Sequence, residues 1–162
     1  MHRWMWILAC LCVCACAGRK AEPATTPPPL LIDQRGTAMP LESAITHVSF
    51  RPFLPATSQV LAYAVLPPLG GPDTDANRGL GIEYEAGNNA MLLSEWPKQQ
   101  FTIAFKRGEI ALSNCTPTHY SAQALAWTTP SHVVVTLQPD GPVAAAQVEA
   151  EARRLIRAGA CR

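Results

Sequence analysis

The chain has 162 residues, with 13 Lys and Arg against 12 Asp and Glu and a formal net charge of +1. That length suits one domain. The balance excludes both the global basic field that holds nucleic acid and the acidic excess that keeps a chain unfolded. The averages conceal a division, because four of the six cysteines (Cys10, Cys12, Cys14, Cys16) fall in the first sixteen positions. Residues 1–15 carry a single charge, Arg3, so the remaining chain has equal basic and acidic counts.

Met1-His2-Arg3 is a short positive start, and Trp4 to Ala15 is an apolar run of 12 residues. A spanning helix needs about 20, so this run has the length of a signal-peptide core. Residues 1–15 read as that signal peptide. Val13-Cys14-Ala15-Cys16 then resembles the bacterial lipobox, with Cys16 as the lipidated residue. Leu11 and Val13 are too large to precede the cleavage point, which disfavours Cys12 and Cys14. The run before Cys10 is too short. Ala15-Cys16-Ala17 also fits the small-x-small site of ordinary secretion, which gives a soluble periplasmic or secreted alternative. A metal site is disfavoured, because zinc ligands are spaced C-x2-4-C and drawn from several segments. With a lipid on Cys16, Ala17 implies the outer membrane in a Gram-negative source.

Residues 16–40 form the anchor and tether. Pro23, Pro27, Pro28, Pro29 and Pro40 favour extended polyproline II over a packed core. The domain, residues 41–162, opens with a helix whose stripe is Leu41, Ala44, Ile45 and Val48. Pro52 and Pro55 end it, and Phe50, Phe53 and Leu54 are expected to enter the core from the following turn. Strands are expected at Val60 to Leu66, around Leu80-Ile82-Tyr84, at Met91 to Trp96 after the turn Gly87-Asn88-Asn89, around Phe101-Ile103-Phe105, and at Glu109 to Ser113. Ala122 to Trp127 and His132 to Leu137 form a hairpin around Thr129-Pro130-Ser131. Val133-Val134-Val135 suggests cover on both faces. Asp140-Gly141-Pro142 starts a closing helix with the stripe Ala144, Val148, Ala152, Leu155 and Ile156, ended by Gly159. The order predicts an α+β domain: an antiparallel sheet of about five to seven strands packed against an N-terminal and a C-terminal helix.

Several stretches resemble one family. They are Pro40 to Ala44, Ser49-Phe50-Arg51-Pro52-Phe53-Leu54-Pro55, Gly81-Ile82-Glu83-Tyr84, Met91-Leu92-Leu93-Ser94-Glu95, Leu125-Ala126-Trp127 and Gln147 to Ile156. Together they resemble an extracytoplasmic domain of unknown function found in bacterial lipoproteins and behind the membrane helix of some anti-sigma factors. The chain departs from that pattern at Thr128-Thr129-Pro130, where the family has a glycine turn, and in the insertion Gly70 to Asn77. The family has no established catalytic residues. The resemblance implies a binding, sensing or interaction module outside the cytoplasm.

Chemistry-bearing residues are sparse. With Cys16 spent on lipid, Cys115 and Cys161 remain, and an oxidising compartment favours pairing them over leaving two separate thiols. Asp73-Thr74-Asp75-Ala76-Asn77 begins like a calcium loop and then fails: Arg78 stands where glycine is needed and Tyr84 where a bidentate glutamate belongs. His119 and Ser121 follow Cys115 closely, but Thr116-Pro117-Thr118 reads as a loop that leaves His119 solvated, and an oxidised Cys115 cannot act as a nucleophile. His47 and His132 are isolated, so no metal cluster and no cofactor is expected. Glu83 and Glu85 share one strand face, which reads as a solvated pair before it reads as an acid–base pair. Trp96, beside Pro97 at a strand end, is the aromatic expected to stand exposed at a binding edge.

These residues favour an envelope lipoprotein that is held to the membrane by lipid, engages an envelope partner and is not an enzyme. The alternatives are a carrier or chaperone for an apolar ligand, a secreted soluble protein, and an envelope enzyme working around His119 or Glu83 and Glu85.

Overall fold

The computed structural model describes residues 35–56, 59–100 and 112–162. The signal stretch, Cys16, most of the tether, the strand expected around Phe101, Ile103 and Phe105 and most of the one expected at Glu109 to Ser113 lie outside the described residues. Among those described, no helix is long and apolar enough to cross a membrane.

Among the described residues, seven strands make one antiparallel sheet: β1 (Thr37–Ala38), β2 (Val60–Leu66), β3 (Gly79–Ala86), β4 (Asn89–Pro97), β5 (Thr118–His119), β6 (Leu125–Thr128) and β7 (Val133–Pro139). Their spatial order is β1-β2-β3-β4-β7-β6-β5. The helices α1 (Leu41–Ala44) and α2 (Ala145–Ala158) accompany them, and residues 98–100 are also helical. The protein is therefore an α+β fold. The central hairpin is β3–β4, whose register runs from Ala86↔Asn89 at the Gly87-Asn88 turn to Leu80↔Glu95 at the far end. Strand β7 then pairs with β4 from Met91↔Pro139 to Pro97↔Val133.

One face of the sheet carries the main core. Leu80, Ile82, Tyr84, Met91, Leu93, Leu125, Trp127, Val135 and Leu137 meet Val148, Ala152 and Leu155 of α2 there. Removing such side chains from water stabilises by about 1.5–3 kcal/mol each for the larger ones, so α2 is held by its apolar stripe. The helix starts one residue later than its expected stripe. Ala144 is its exposed N-cap in extended conformation, and Val143 is the buried residue at that end.

Three other expectations change. The first helix tightens after Ala44 into a 3-10 turn, Ile45–His47. Three residues per turn rotates Ile45 away from the core, and it is 42% exposed. Phe50 and Phe53 pack against the core, but Leu54 is 45% exposed. Thr118 and His119, expected in a loop, pair with β6 as the edge strand β5.

The opposite sheet face is not solvated over its centre. Ala64 and Leu92 form one small cluster, and Ala126 and Val134 form another with Leu112 and Tyr120. Ser94, Thr136 and Trp96 on that face are also buried. Val133-Val134-Val135 is buried at every position, as a strand covered on both sides should be.

Candidate functional site

The main candidate site is a cleft of about 740 Å³ between the loop of residues 49–54, the β6–β7 turn and the end of α2. Each wall has a local cause. On the turn side, Thr129 Oγ1 accepts a hydrogen bond from the Val133 N–H at 3.1 Å and lies 2.9 Å from Ser131 Oγ. His132 closes the turn with φ +61°. On the helix side, the Gly159 N–H donates to the Ile156 carbonyl and the Ala160 N–H to the Leu155 carbonyl. That pair of hydrogen bonds is a Schellman ending, which satisfies the last carbonyls of the helix. Gly159 takes φ +117°, a conformation that side chains other than glycine rarely adopt.

The helix wall is fixed beyond α2 as well. The Trp127 indole Nε1–H donates to the Ala160 carbonyl at 3.0 Å. Cys161 is joined to Cys115 by a disulfide, with their Cα atoms 5.4 Å apart. The loop wall is held more lightly. Its Phe53 N–H donates to the two carboxyl oxygens of Glu95, at 3.1 and 3.2 Å.

Glu95 is the unusual group of the molecule. It is 2% exposed and stands on the core face of β4, in line with Met91 and Leu93 and between Leu80 of β3 and Val135 of β7. Burial pushes its carboxyl up to about 8, against the smaller opposing effect of the Phe53 hydrogen bond. The uncharged form is favoured because a lone carboxylate in an apolar interior loses its hydration. Sequence reading passed over this residue. The available signal was parity: a glutamate at the third position of the Met91, Leu93 alternation must face the core.

The described charged side chains lining the cleft are Arg51 and Arg162, both exposed. Phe50, Phe53 and Leu54 add apolar surface, and Ser49 and Ser131 add hydroxyls. The lining can therefore hold an anionic group beside an apolar one. It does not bring together a nucleophile and a base.

A second concavity, of about 700 Å³, lies at the other end of the β3–β4 hairpin against α2. Here Tyr84 O–H donates to Glu151 Oε1 at 2.8 Å, and Arg154 donates to both Glu151 oxygens at 2.7 Å. Burial works to raise the Glu151 carboxyl, but the hydrogen bonds from Arg154 and Tyr84 outweigh it and hold the group below its ordinary range. Burial, then the neighbouring carboxylate, raises the Tyr84 hydroxyl.

The residues singled out from sequence are dispersed. Trp96, expected at an exposed edge, lies in central β4 and is only 8% exposed. Its ring lies against Gly79, where a Cβ would overlap the indole, and its buried Nε1 has no hydrogen-bond partner among the described residues. Glu83, expected on a solvated face, is fully buried and engaged. Glu85 lines the second concavity. His119 does not meet a free thiol: Cys115 is in the disulfide, and His119 Nε2 lies 3.0 Å from Glu149 Oε1. Arg78 clasps Asp73 at 2.7 Å and Asp75 at 2.9 Å, so the carboxylates of the calcium-like stretch already have a cation. His47 Nδ1 lies 3.5 Å from Asp75. Among the described residues no group of three or more His, Cys, Asp or Glu is placed to hold a metal ion.

Comparisons with family models, with curated proteins and with solved structures gave no match for this chain.

Proposed function

We propose that the protein is a membrane-tethered envelope lipoprotein whose α+β domain is a non-catalytic binding module, with the cleft at residues 49–54 as its seat. The observation that carries this reading is the cleft lining. It sets two exposed arginines, Arg51 and Arg162, beside half-buried Phe50 and Phe53 and exposed Leu54. Arginine forks favour carboxylates, and the apolar flank favours a ligand with its own apolar side chains. An extended acidic peptide segment of an envelope protein has both. The disulfide supports an oxidising compartment. The lipobox-like Val13 to Cys16 and the proline-rich tether support attachment through lipid, since the chain beyond residue 15 has no net charge to bring to a membrane. The likeness to the extracytoplasmic domain of lipoproteins and anti-sigma factors points the same way.

Two experiments test the reading. Radiolabelled palmitate should enter the wild-type chain in bacterial cells and not Cys16→Ser; equal labelling of both, or of neither, contradicts the anchor. A fluorescent peptide alternating Glu and Phe should bind the folded domain and weaken at least tenfold in the Arg51→Glu, Arg162→Glu double variant, about the value of two lost ion pairs at exposed arginines. Unchanged binding, or none by the wild type, contradicts the seat.

A further inference from the structure

The two walls of the cleft are built differently. The helix wall is fastened by a disulfide, by the Trp127 indole and by the Schellman ending. The loop wall meets the sheet through the Phe53 amide and the buried Glu95 carboxyl, with Phe50 and Phe53 only partly buried over the core. Among the described residues, none with a positive charge is bonded to the Glu95 carboxyl. Leu80 flanks it on β3 and Val135 on β7. Among the described residues, the charged and titratable groups nearby are Arg51 on the loop, His132 in the β6–β7 turn and Arg162 beyond α2, none of them hydrogen-bonded or ion-paired to it, and Lys98 beyond β4, which is itself engaged. When this carboxyl loses its proton, the charge must be hydrated. Strands β3 and β7 are locked in the sheet ladder, so the loop is the cover that can move.

We propose that Glu95 is a proton-operated latch on the loop wall of the cleft. Holding its proton, it keeps residues 49–54 seated through the Phe53 amide; without it, the loop lifts to admit water and the cleft opens on that side. One charge-assisted hydrogen bond to Phe53 would favour the seated loop even then, but it is smaller than the cost of an unhydrated carboxylate. A ligand that clamps the closed wall therefore binds together with a proton, and by reciprocity it tightens the hold of Glu95 on that proton. This consequence for binding rests on the cleft being the ligand seat. The latch itself does not.

The test needs no ligand, so its outcome is independent of that reading. Amide hydrogen exchange of the oxidised domain, corrected for intrinsic rates, is followed from pH 5 to 9 for Phe53 and for Val135 as a sheet reference. The Phe53 protection factor should fall about tenfold per pH unit up to about pH 8 and then level, staying throughout below that of Val135, which exchanges only when the whole sheet unfolds. In Glu95→Gln, which keeps an acceptor for the amide and cannot ionise, Phe53 protection should stay flat. Constant Phe53 protection in the wild type, or the same fall in both proteins, overturns the latch. The wild-type profile decides by itself if the variant does not fold.

Discussion

The two ends of the β3–β4 hairpin solve one problem in opposite ways. At the turn end, the Glu151 carboxylate meets the core face with Arg154 and the Tyr84 hydroxyl as partners, and it keeps its charge. At the far end, Glu95 meets the same face with one backbone amide, and it keeps its proton. A carboxyl that enters a core needs a cation or a proton, and which one it has sets the direction of its pH response. Each end carries a concavity, and the end with the proton carries the one walled by the loop of residues 49–54.

The comparison can be broken in several places. Its largest consequence is a pH slope. An unfolded Glu95 ionises near 4.5, whereas the folded carboxyl keeps its proton to about 8. Between those values the folded state holds a proton that the unfolded state has released, so stability falls as pH rises. Urea denaturation should show a loss of about 4 kcal/mol from pH 5 to pH 8, with no further loss above it. Glu95→Gln should remove most of that slope and be the more stable protein at pH 8. Equal slopes would place the titration elsewhere.

The fastened wall gives the next largest effect. Opening the Cys115–Cys161 bridge, which spans a sequence separation of 46, should destabilise by roughly 2–4 kcal/mol. Thermal melts with and without reductant measure it, and an unchanged melting temperature would show that Trp127 and the Schellman ending suffice. At the turn end, Tyr84→Phe should cost about 1–2 kcal/mol, because it removes a buried hydroxyl bonded to a charged partner. Glu151, held low, contributes stability that is present above its unfolded value and lost as pH falls through its folded one. Tyr84→Phe should therefore also lessen the acid loss, opposite in sign to the Glu95 effect. The smallest change is expected for Arg154→Ala, about 0.5 kcal/mol, since the i,i+3 pair with Glu151 is partly exposed. A loss as large as that of Tyr84→Phe would mean that the turn end depends on the ion pair and not on the hydroxyl.

Much of the frame was legible in the sequence because strand alternation is a local signal. Val60 to Leu66, Leu80-Ile82-Tyr84, the Gly87-Asn88 turn and the triple valine of β7 all stand where their periodicity puts them. The site was not legible, because it depends on what covers each face. Parity alone sends Glu83 to one side of the sheet and Glu95 to the other, but only the fold shows that both sides are closed. Nothing near Glu95 in sequence announces Phe53, 42 positions away. Trp96 beside Pro97 read as a strand end and proved to be central, because β7 pairs alongside β4 as far as Pro97↔Val133. The helix boundaries moved for local reasons: a 3-10 tightening at Ile45 and an extended N-cap at Ala144.

The central claim is that a protonated glutamate holds the loop wall of the cleft at neutral pH. A carbon-13 NMR titration of the Glu95 side-chain carboxyl in the intact, oxidised domain tests it most directly. The account predicts a midpoint close to 8, with the Phe53 amide shift moving along the same curve; a carboxyl that titrates between 4 and 5 with the Phe53 amide unmoved would contradict it.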